Sequence, residues 1–461
     1  MKHSGFHSLA ASSFLLFTLF AHASTRPQYG GTLHVSIREA PTSLNPADIA
    51  QSDSFAQRNL TPLIFEPLLT SGDNGRLQAS LATSWQAANG NLRWQFHLRN
   101  NVSFHGGVTL TPALAATSLR AANPSWKIVS DAESIIITCD VPCSHLPEEL
   151  ALSRNAIVNR SDDGKLNGTG PFHTVDWQPG KKLVLGAEEH YWGGRPFLDA
   201  IEIEFGKSYR EQLVSLEMGK TDLIEVSAEQ SHRTFLASHR SAISEPIELV
   251  ALIFSRDAQS PEEKSLREAL ALSIERASMG SVILQNTSQS GASIVPNWMS
   301  GYAFAFSTEG DLPGARRLRE ETRAASPWTI TYDPADPILT ALAERVALNA
   351  RDAGLQLQLT KSAVADLRMV RIVLPSDPAI ALAAVAAEAK LTPPEILSDS
   401  AEDLYSAERE LLATQKLIPL FHLPVVYAAT TALKDWTTRR DGTWNLADAW
   451  LARELSGSNN P

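Results

Sequence analysis

The chain has 461 residues, 40 Lys+Arg against 51 Asp+Glu, a formal charge of −11 and 43% hydrophobic residues. This composition excludes a disordered or collagen-like chain, and the acidic balance argues against a general nucleic-acid binder, which needs a basic face. The length asks for two or three domains, and two cysteines are too few for a disulfide-stapled scaffold or a four-cysteine zinc site.

Lys2 precedes an apolar run from Leu9 to Ala21 that ends in the small-x-small string Ala21-His22-Ala23. It reads as a secretory signal peptide, residues 1–23, cleaved near Ala23. The run is too short to cross a hydrocarbon core of about 30 Å. The expectation is export to the periplasm, with only peripheral contact with the membrane.

Thr32–Ile37 alternates, with Leu33, Val35 and Ile37 on one face, and predicts a strand. Leu92–Leu98 repeats the pattern after the hairpin signal Asn89-Gly90, and Ser134–Thr138 carries three isoleucines. The stretch from Ser71 to Thr138 is therefore expected to be largely β. Strand, helix and strand follow at Ala200–Phe205, Tyr209–Met218 and Leu223–Val226, the unit of an α/β sheet. Ser260-Pro261-Glu262-Glu263 predicts a helix start with a capping box. A second such unit runs from Trp328–Tyr332 through a helix capped by Asp336, with Pro337 in its first turn, to Leu355–Leu359.

Cys139 and Cys143 would lie about 13 Å apart on an extended strand, beyond bridging reach. Pro142 could fold them together, so the two readings are a small-loop disulfide and a pair of free thiols. Gly219-Lys220-Thr221 resembles the end of a phosphate loop, but Val214 stands where that loop needs glycine, so Gly219 is read as a helix stop. No serine-nucleophile elbow or zinc-protease helix motif is present, and neither an enzyme nor a cofactor is expected.

Eight strings in order resemble the extracellular solute-binding proteins of the peptide/nickel ABC-transporter family, the dipeptide-, oligopeptide- and nickel-binding group. They are Gly30-Gly31-Thr32-Leu33, Pro41-Thr42-Ser43-Leu44-Asn45-Pro46, Phe65-Glu66-Pro67-Leu68-Leu69, Leu81-Ala82-Thr83-Ser84-Trp85, Phe96 to Gly107, Gly168 to Phe172, Tyr191 to Pro196, and Leu266 to Arg276. The resemblance is dense from Gly30 to Arg276 and thin afterwards. It implies a two-lobed α/β periplasmic-binding-protein fold with a hinge and a β-rich subdomain inserted in the first lobe. The corresponding segments are 24–62 (first lobe), 63–150 (insertion), 151–245 (first lobe), 246–424 (shortened second lobe) and 425–461 (return to the first lobe).

The implied function is capture of a small ligand, peptide-like as the first expectation, between lobes that close about the hinge. A monomer would deliver the ligand to the transmembrane permease subunits of an ABC importer. Alternatives are a nickel or metal-chelate binder of the same family, or an envelope sensor or interaction protein that does not transport. The family's acidic residue for a peptide amine is missing: Pro375 or Ser376 stands at that position, and Asp377-Pro378 matches only the end of the motif. The expected ligand contacts are Arg38, Glu39 and Ser43 after the first strand, Phe254 and Ser255 at the start of the second lobe, Trp298, Asp377, and His422 as a chelate contact.

Overall fold

Alternation puts Leu33, Val35 and Ile37 on one face of the first strand, where they are 0%, 1% and 1% exposed. The computed structural model describes residues 26–48, 54–72, 76–231, 239–322, 327–396, 398 and 400–452; the expected signal peptide lies outside them. The strands that build the frame are β1 (Thr32–Ser36), β2 (Phe172–Gln178), β3 (Lys182–Ala187), β4 (Ala200–Glu204), β5 (Leu223–Val226), β6 (Arg240–Phe254), β7 (Trp328–Thr331), β8 (Leu357–Leu359), β9 (Leu367–Val373) and β10 (Leu417–Ala429). The helices used below are α1 (Phe55–Ile64), α2 (Tyr209–Glu217), α3 (Pro261–Ser273), α4 (Pro337–Asp352), α5 (Pro378–Glu388) and α6 (Ala401–Ala413).

One sheet runs through the molecule in the order β2-β3-β4-β1-β5-β10-β6-β9-β7-β8, with Gln289–Ser290 added on β10. In its first half β1 lies between β4 and β5 and is parallel to both. The connection from β4 through α2 to β5 is the expected strand–helix–strand unit. In its second half β7 is parallel to β8 and β9, and α4 joins β7 to β8. Ile338, Leu342 and Val346 bury the apolar stripe of α4, and Gly354 (φ +78°) follows its end in the left-handed conformation that favours glycine.

Only β6 and β10 extend through both halves. They pair with each other over most of their length, but the register shifts between Ile243 and Pro246 and again between Pro246 and Glu248. Pro246 faces Pro424 at this break. Neither proline has an N–H to give to a ladder, so the pairing of β6 with β10 is interrupted here. Ser244 Oγ takes the Val425 N–H at 2.9 Å, replacing part of the lost pairing.

The insertion is a four-stranded antiparallel sheet (Ala82–Ala88, Arg93–Leu98, Ser134–Thr138, Lys127–Ser130) packed on a helix, Pro112–Ala122, with its own core of Phe96, Ile135, Ile137 and Leu119. Asn89 and Gly90 turn its hairpin with φ of 55° and 63°. Past Ser134–Thr138 the chain bends at Val141-Pro142, bringing the Cys139 and Cys143 Cα atoms to 6.3 Å, and the two sulfurs are bonded.

The strings that carry the family resemblance meet around Glu66. Its carboxylate accepts hydrogen bonds from Thr169 Oγ1, the Tyr191 hydroxyl and Trp192 Nε1, each at 2.8 Å. Arg99 lies 4.3 Å from the Trp192 ring centroid. Burial pushes the Glu66 carboxyl up, and the three donors oppose that shift.

Helix α3 departs from expectation in one detail. Ser260 Oγ caps the Glu263 N–H at 3.2 Å, but the Glu263 side chain does not return to the Ser260 backbone. It accepts from the Gln259 N–H, Arg256 and Arg267, because the buried Arg267 guanidinium needs an anion one turn away. The complete capping box is at Ser208 and Glu211, where α2 begins.

Candidate functional site

Two cavities open between the lobes. The larger has a volume of about 980 Å³ and is bounded by the loop after β1, the start of α1, the hinge end of β10, and β9 with the start of α4. The smaller, about 400 Å³, lies between α1, the insertion and Pro375–Pro378. Arg58 and Pro375 border both. Arg58, on α1, donates to the Leu374 carbonyl at 2.7 Å and the Val373 carbonyl at 2.9 Å, so one side chain ties the first lobe to the second and divides the cleft.

The larger cavity carries charge of both signs. Arg371, on β9, donates to Asp336 Oδ2 at 2.8 Å and pairs with Glu248. Asp336 Oδ1 caps α4 by accepting the Ile338 N–H at 2.9 Å. Burial opposes ionisation of Asp336, but Arg371 and Arg38 outweigh it and hold the carboxyl below its ordinary range. Glu225, on β5, accepts the Arg38 N–H at 2.7 Å; burial still pushes its carboxyl up to about 7. The Glu39 carboxyl is also pushed up by burial, although it accepts the Ala56 N–H.

On the side away from β6, β9 pairs with β7 only at Leu367 and Arg368. From Met369 to Val373 that edge has no neighbouring strand among the described residues, and these residues line the cavity. A strand edge facing a cavity offers main-chain donors and acceptors to an extended ligand.

Of the residues expected to touch ligand, the structure brings Arg38 and Glu39 to the larger cavity and Asp377 to the smaller one. Asp377 also caps α5 through the Ile380 N–H at 2.9 Å, and His145 of the insertion lies 3.6 Å from its other oxygen. Four of the others are elsewhere for clear physical reasons. Phe254 is 2% exposed and packs edge-on against Trp328 inside the second lobe. Ser255 closes a turn there, donating to the Ala365 carbonyl at 2.6 Å. Trp298 donates to the Pro246 carbonyl at the hinge. His422 is 1% exposed, with Nε2 2.9 Å from the Ile294 carbonyl. A carbonyl only accepts, so Nε2 carries the proton, and burial lowers the pKa of the ring to about 4. Ser43 accepts the Asn45 N–H in a local turn and does not line either cavity.

Glu225, Glu248, Asp336 and Arg371 were not anticipated from the sequence. Arg371 holds the position in β9 that continues the alternation of Leu367 and Met369, where an apolar residue is due. Glu225 interrupts the wholly buried Leu223-Ile224-Glu225-Val226. A charge at an apolar phase of a strand was the available signal.

The architecture recurs in solved structures. DppA of Helicobacter pylori, an ABC transporter-associated periplasmic binding protein in complex with the peptide STSA, superimposes with a TM-score of 0.78 at 18% identity, covering 93% of this chain and 99% of that one. NikA of Staphylococcus aureus in complex with Ni(L-His)2 gives a TM-score of 0.74 at 18% identity, covering 89% and 97%. Both share the two-lobed fold. In sequence, the chain is 23% identical over 367 residues to the probable D,D-dipeptide-binding periplasmic protein DdpA of Escherichia coli K12, covering 71% of this chain and 70% of that one. The model for bacterial extracellular solute-binding proteins, family 5 (middle), matches residues 76–369. The chain belongs to the bacterial extracellular solute-binding proteins, family 5.

Proposed function

We propose that this protein captures a small peptide-like ligand in the interlobe cleft and delivers it to an ABC importer, as a binding protein and not an enzyme. The observation that carries the reading is the open edge of β9, Met369–Val373, facing a cavity of about 980 Å³. That volume is at the upper end of small-ligand pockets and admits an extended ligand of a few residues. Charges of both signs on the wall suit a zwitterion. His422 lies in the core and away from the cavity, so the geometry favours a peptide over a metal chelate.

The remaining assignments belong to the same proposal. The chain is exported with cleavage near Ala23, acts as a monomer in the periplasm, and meets the membrane only at its permease. The crossings at β6 and β10 support a second lobe of residues 246–424 and a return to the first lobe from residue 425. No helix among the described residues is long and apolar enough to cross a membrane.

A thermal-shift screen tests the ligand class. A ligand at 100 times its Kd stabilises the bound protein by about 2.7 kcal/mol. Peptides are expected to raise the melting midpoint, with nickel chelates and sugars giving no shift. A shift with chelates alone would favour the metal reading. Silence towards all three classes would favour a sensor or interaction role.

A further inference from the structure

We propose that a third cavity, outside the interlobe cleft, binds a small zwitterion of the amino-acid class, with its carboxylate on Arg276 and its ammonium towards Glu309 and Asp311. The cavity has a volume of about 350 Å³, at the lower end of small-ligand pockets. Its walls come from residues between Ala271 and Pro419, inside the expected second lobe, and none of them borders the two cavities between the lobes. It lies where β10 begins, at Leu417, away from the break at Pro424.

Arg276 is 5% exposed and opens the short helix Arg276–Val282. Its Nε and Nη2 both donate to the Pro419 carbonyl, at 3.2 and 2.8 Å. Nη1 has no acceptor among the described residues and, in contrast to Arg267 Nη1, it is not closed off by packing. It is therefore reachable from the cavity that Arg276 borders. Arg276 also lacks a counter-charge. Arg267 pairs with Glu263, and Arg371 with Asp336 and Glu248, whereas no carboxylate pairs with Arg276 among the described residues. Burial lowers its pKa to about 10, so the guanidinium still carries its charge near neutrality. A buried charge whose one partner is a neutral carbonyl is costly, and an anion that reaches Nη1 relieves that cost.

Two carboxylates border the same cavity without pairing with the guanidinium. Asp311 is held by a helix: its Oδ1 accepts the Gly314 N–H at 2.9 Å and caps Leu312–Glu321. Glu309 is exposed. These two acids repel a dianion such as sulfate or phosphate, and they give the ammonium of an amino acid its partner. A plain carboxylate or a plain amine matches only one side of this arrangement. Leu272 and Leu412 supply apolar wall for a side chain.

The test titrates L-leucine, isoamylamine (the same skeleton without the carboxylate), isocaproate (without the amine) and sulfate into the full mature chain, read by calorimetry. The variants are Ala271→Leu and Arg276→Lys. Ala271 is half-buried on α3 at the cavity wall, and leucine, a good helix former, fills part of the space while leaving the Arg276–Pro419 bonds in place. L-leucine is expected to bind at least about tenfold more tightly than isoamylamine or isocaproate, with sulfate weaker still. Both variants are expected to weaken L-leucine at least about tenfold. Ala271→Leu should leave the binding of a di- and tripeptide mixture unchanged. No binding of L-leucine, isocaproate bound as tightly as L-leucine, or unchanged L-leucine affinity in Ala271→Leu overturns the site. A joint loss of L-leucine and peptide affinity in Ala271→Leu also overturns it, by placing L-leucine in the interlobe cleft. Should Arg276→Lys fail to fold, Ala271→Leu alone decides.

Discussion

Trp298 Nε1 donates to the Pro246 carbonyl at 2.7 Å, fixing the strand at the point where it passes between lobes. Arg440, from the segment after β10, lies 4.8 Å from the ring centroid of the same tryptophan. The ring therefore props the hinge and does not face the cavity. Trp298→Phe keeps an aromatic ring and removes the donor. It is expected to lower stability by about 1 kcal/mol and to speed amide exchange in residues 244–248. Peptide affinity should change little. A large loss of affinity with unchanged exchange at the hinge would show that the ring contacts ligand after all.

The pH dependence of stability should carry the mark of two buried glutamates. Glu225 and Glu408 are each pushed from 4.5 to about 7, mainly by burial. Glu408 accepts the Ile294 N–H and, at 2.9 Å, the Tyr302 hydroxyl. Each group binds its proton more tightly in the folded chain than in the unfolded one. The stability so gained is complete below about pH 4.5 and is lost as pH rises through about 7. His422 works in the opposite sense: its contribution is complete above about 6.5 and is lost as pH falls towards 4. The window from pH 6.5 to 8 thus leaves out His422 and reports on the buried glutamates together, Glu39 and Glu66 among them, so the variant is needed to single out Glu408. Across the whole range each contributes at most about 3 kcal/mol. The melting midpoint should fall from pH 6.5 to 8, and less steeply in Glu408→Gln. Parallel curves for the two proteins would refute the assignment for Glu408.

Much of the fold was legible because its signals are local. The alternation of Leu33, Val35 and Ile37, and the helix cap at Asp336-Pro337, act over a few residues and survive in the folded chain. The family strings were legible for a related reason. Phe65-Glu66-Pro67, Gly168-Thr169-Gly170 and Tyr191-Trp192 build one buried network, which tolerates few residue types. The cleft was harder to read. Glu225, Glu248, Asp336 and Arg371 are spread over β5, β6, the start of α4 and β9, and each resembles an ordinary strand or cap charge until the sheet brings them together. Trp298 and His422 were expected at the ligand, but an aromatic ring and an imidazole suit a ligand or a core equally well, and the structure puts one against the Pro246 carbonyl and the other in the core.

Gly168 shows how tightly that network constrains the chain. A Cβ on Gly168 would stand 1.8 Å from the Ile64 carbonyl oxygen, and one on Gly170 would stand 2.7 Å from the Ile64 carbonyl carbon. The loop must pass this close, because the Gly170 N–H donates to the Ile64 carbonyl at 3.0 Å at the end of α1. The obstacle is backbone, which cannot rotate aside. Gly168→Ala is expected to displace the loop, disturb the Thr169–Glu66 bond and cost about 3 kcal/mol, read from the denaturant midpoint. A cost below about 1 kcal/mol would mean that the loop yields more readily than its packing implies.

Arg58 offers the most direct test of how the lobes are held. Its guanidinium sits on α1 and its two carbonyl acceptors end β9, so both bonds are made only when the lobes are together. Arg58→Met keeps most of the side-chain length and loses both donors. If these bonds favour closure without ligand, the variant should populate the open form more, and solution scattering should show a larger radius of gyration. A smaller competent fraction raises the apparent Kd in proportion. Each 1.4 kcal/mol taken from the closed state weakens binding by up to about tenfold. The melting midpoint should move little, since the variant leaves untouched the apolar core that runs from β1 and α1 through to α5 and α6. Unchanged scattering together with unchanged affinity would mean that the open form pairs Arg58 equally well, and that closure rests on the ligand alone.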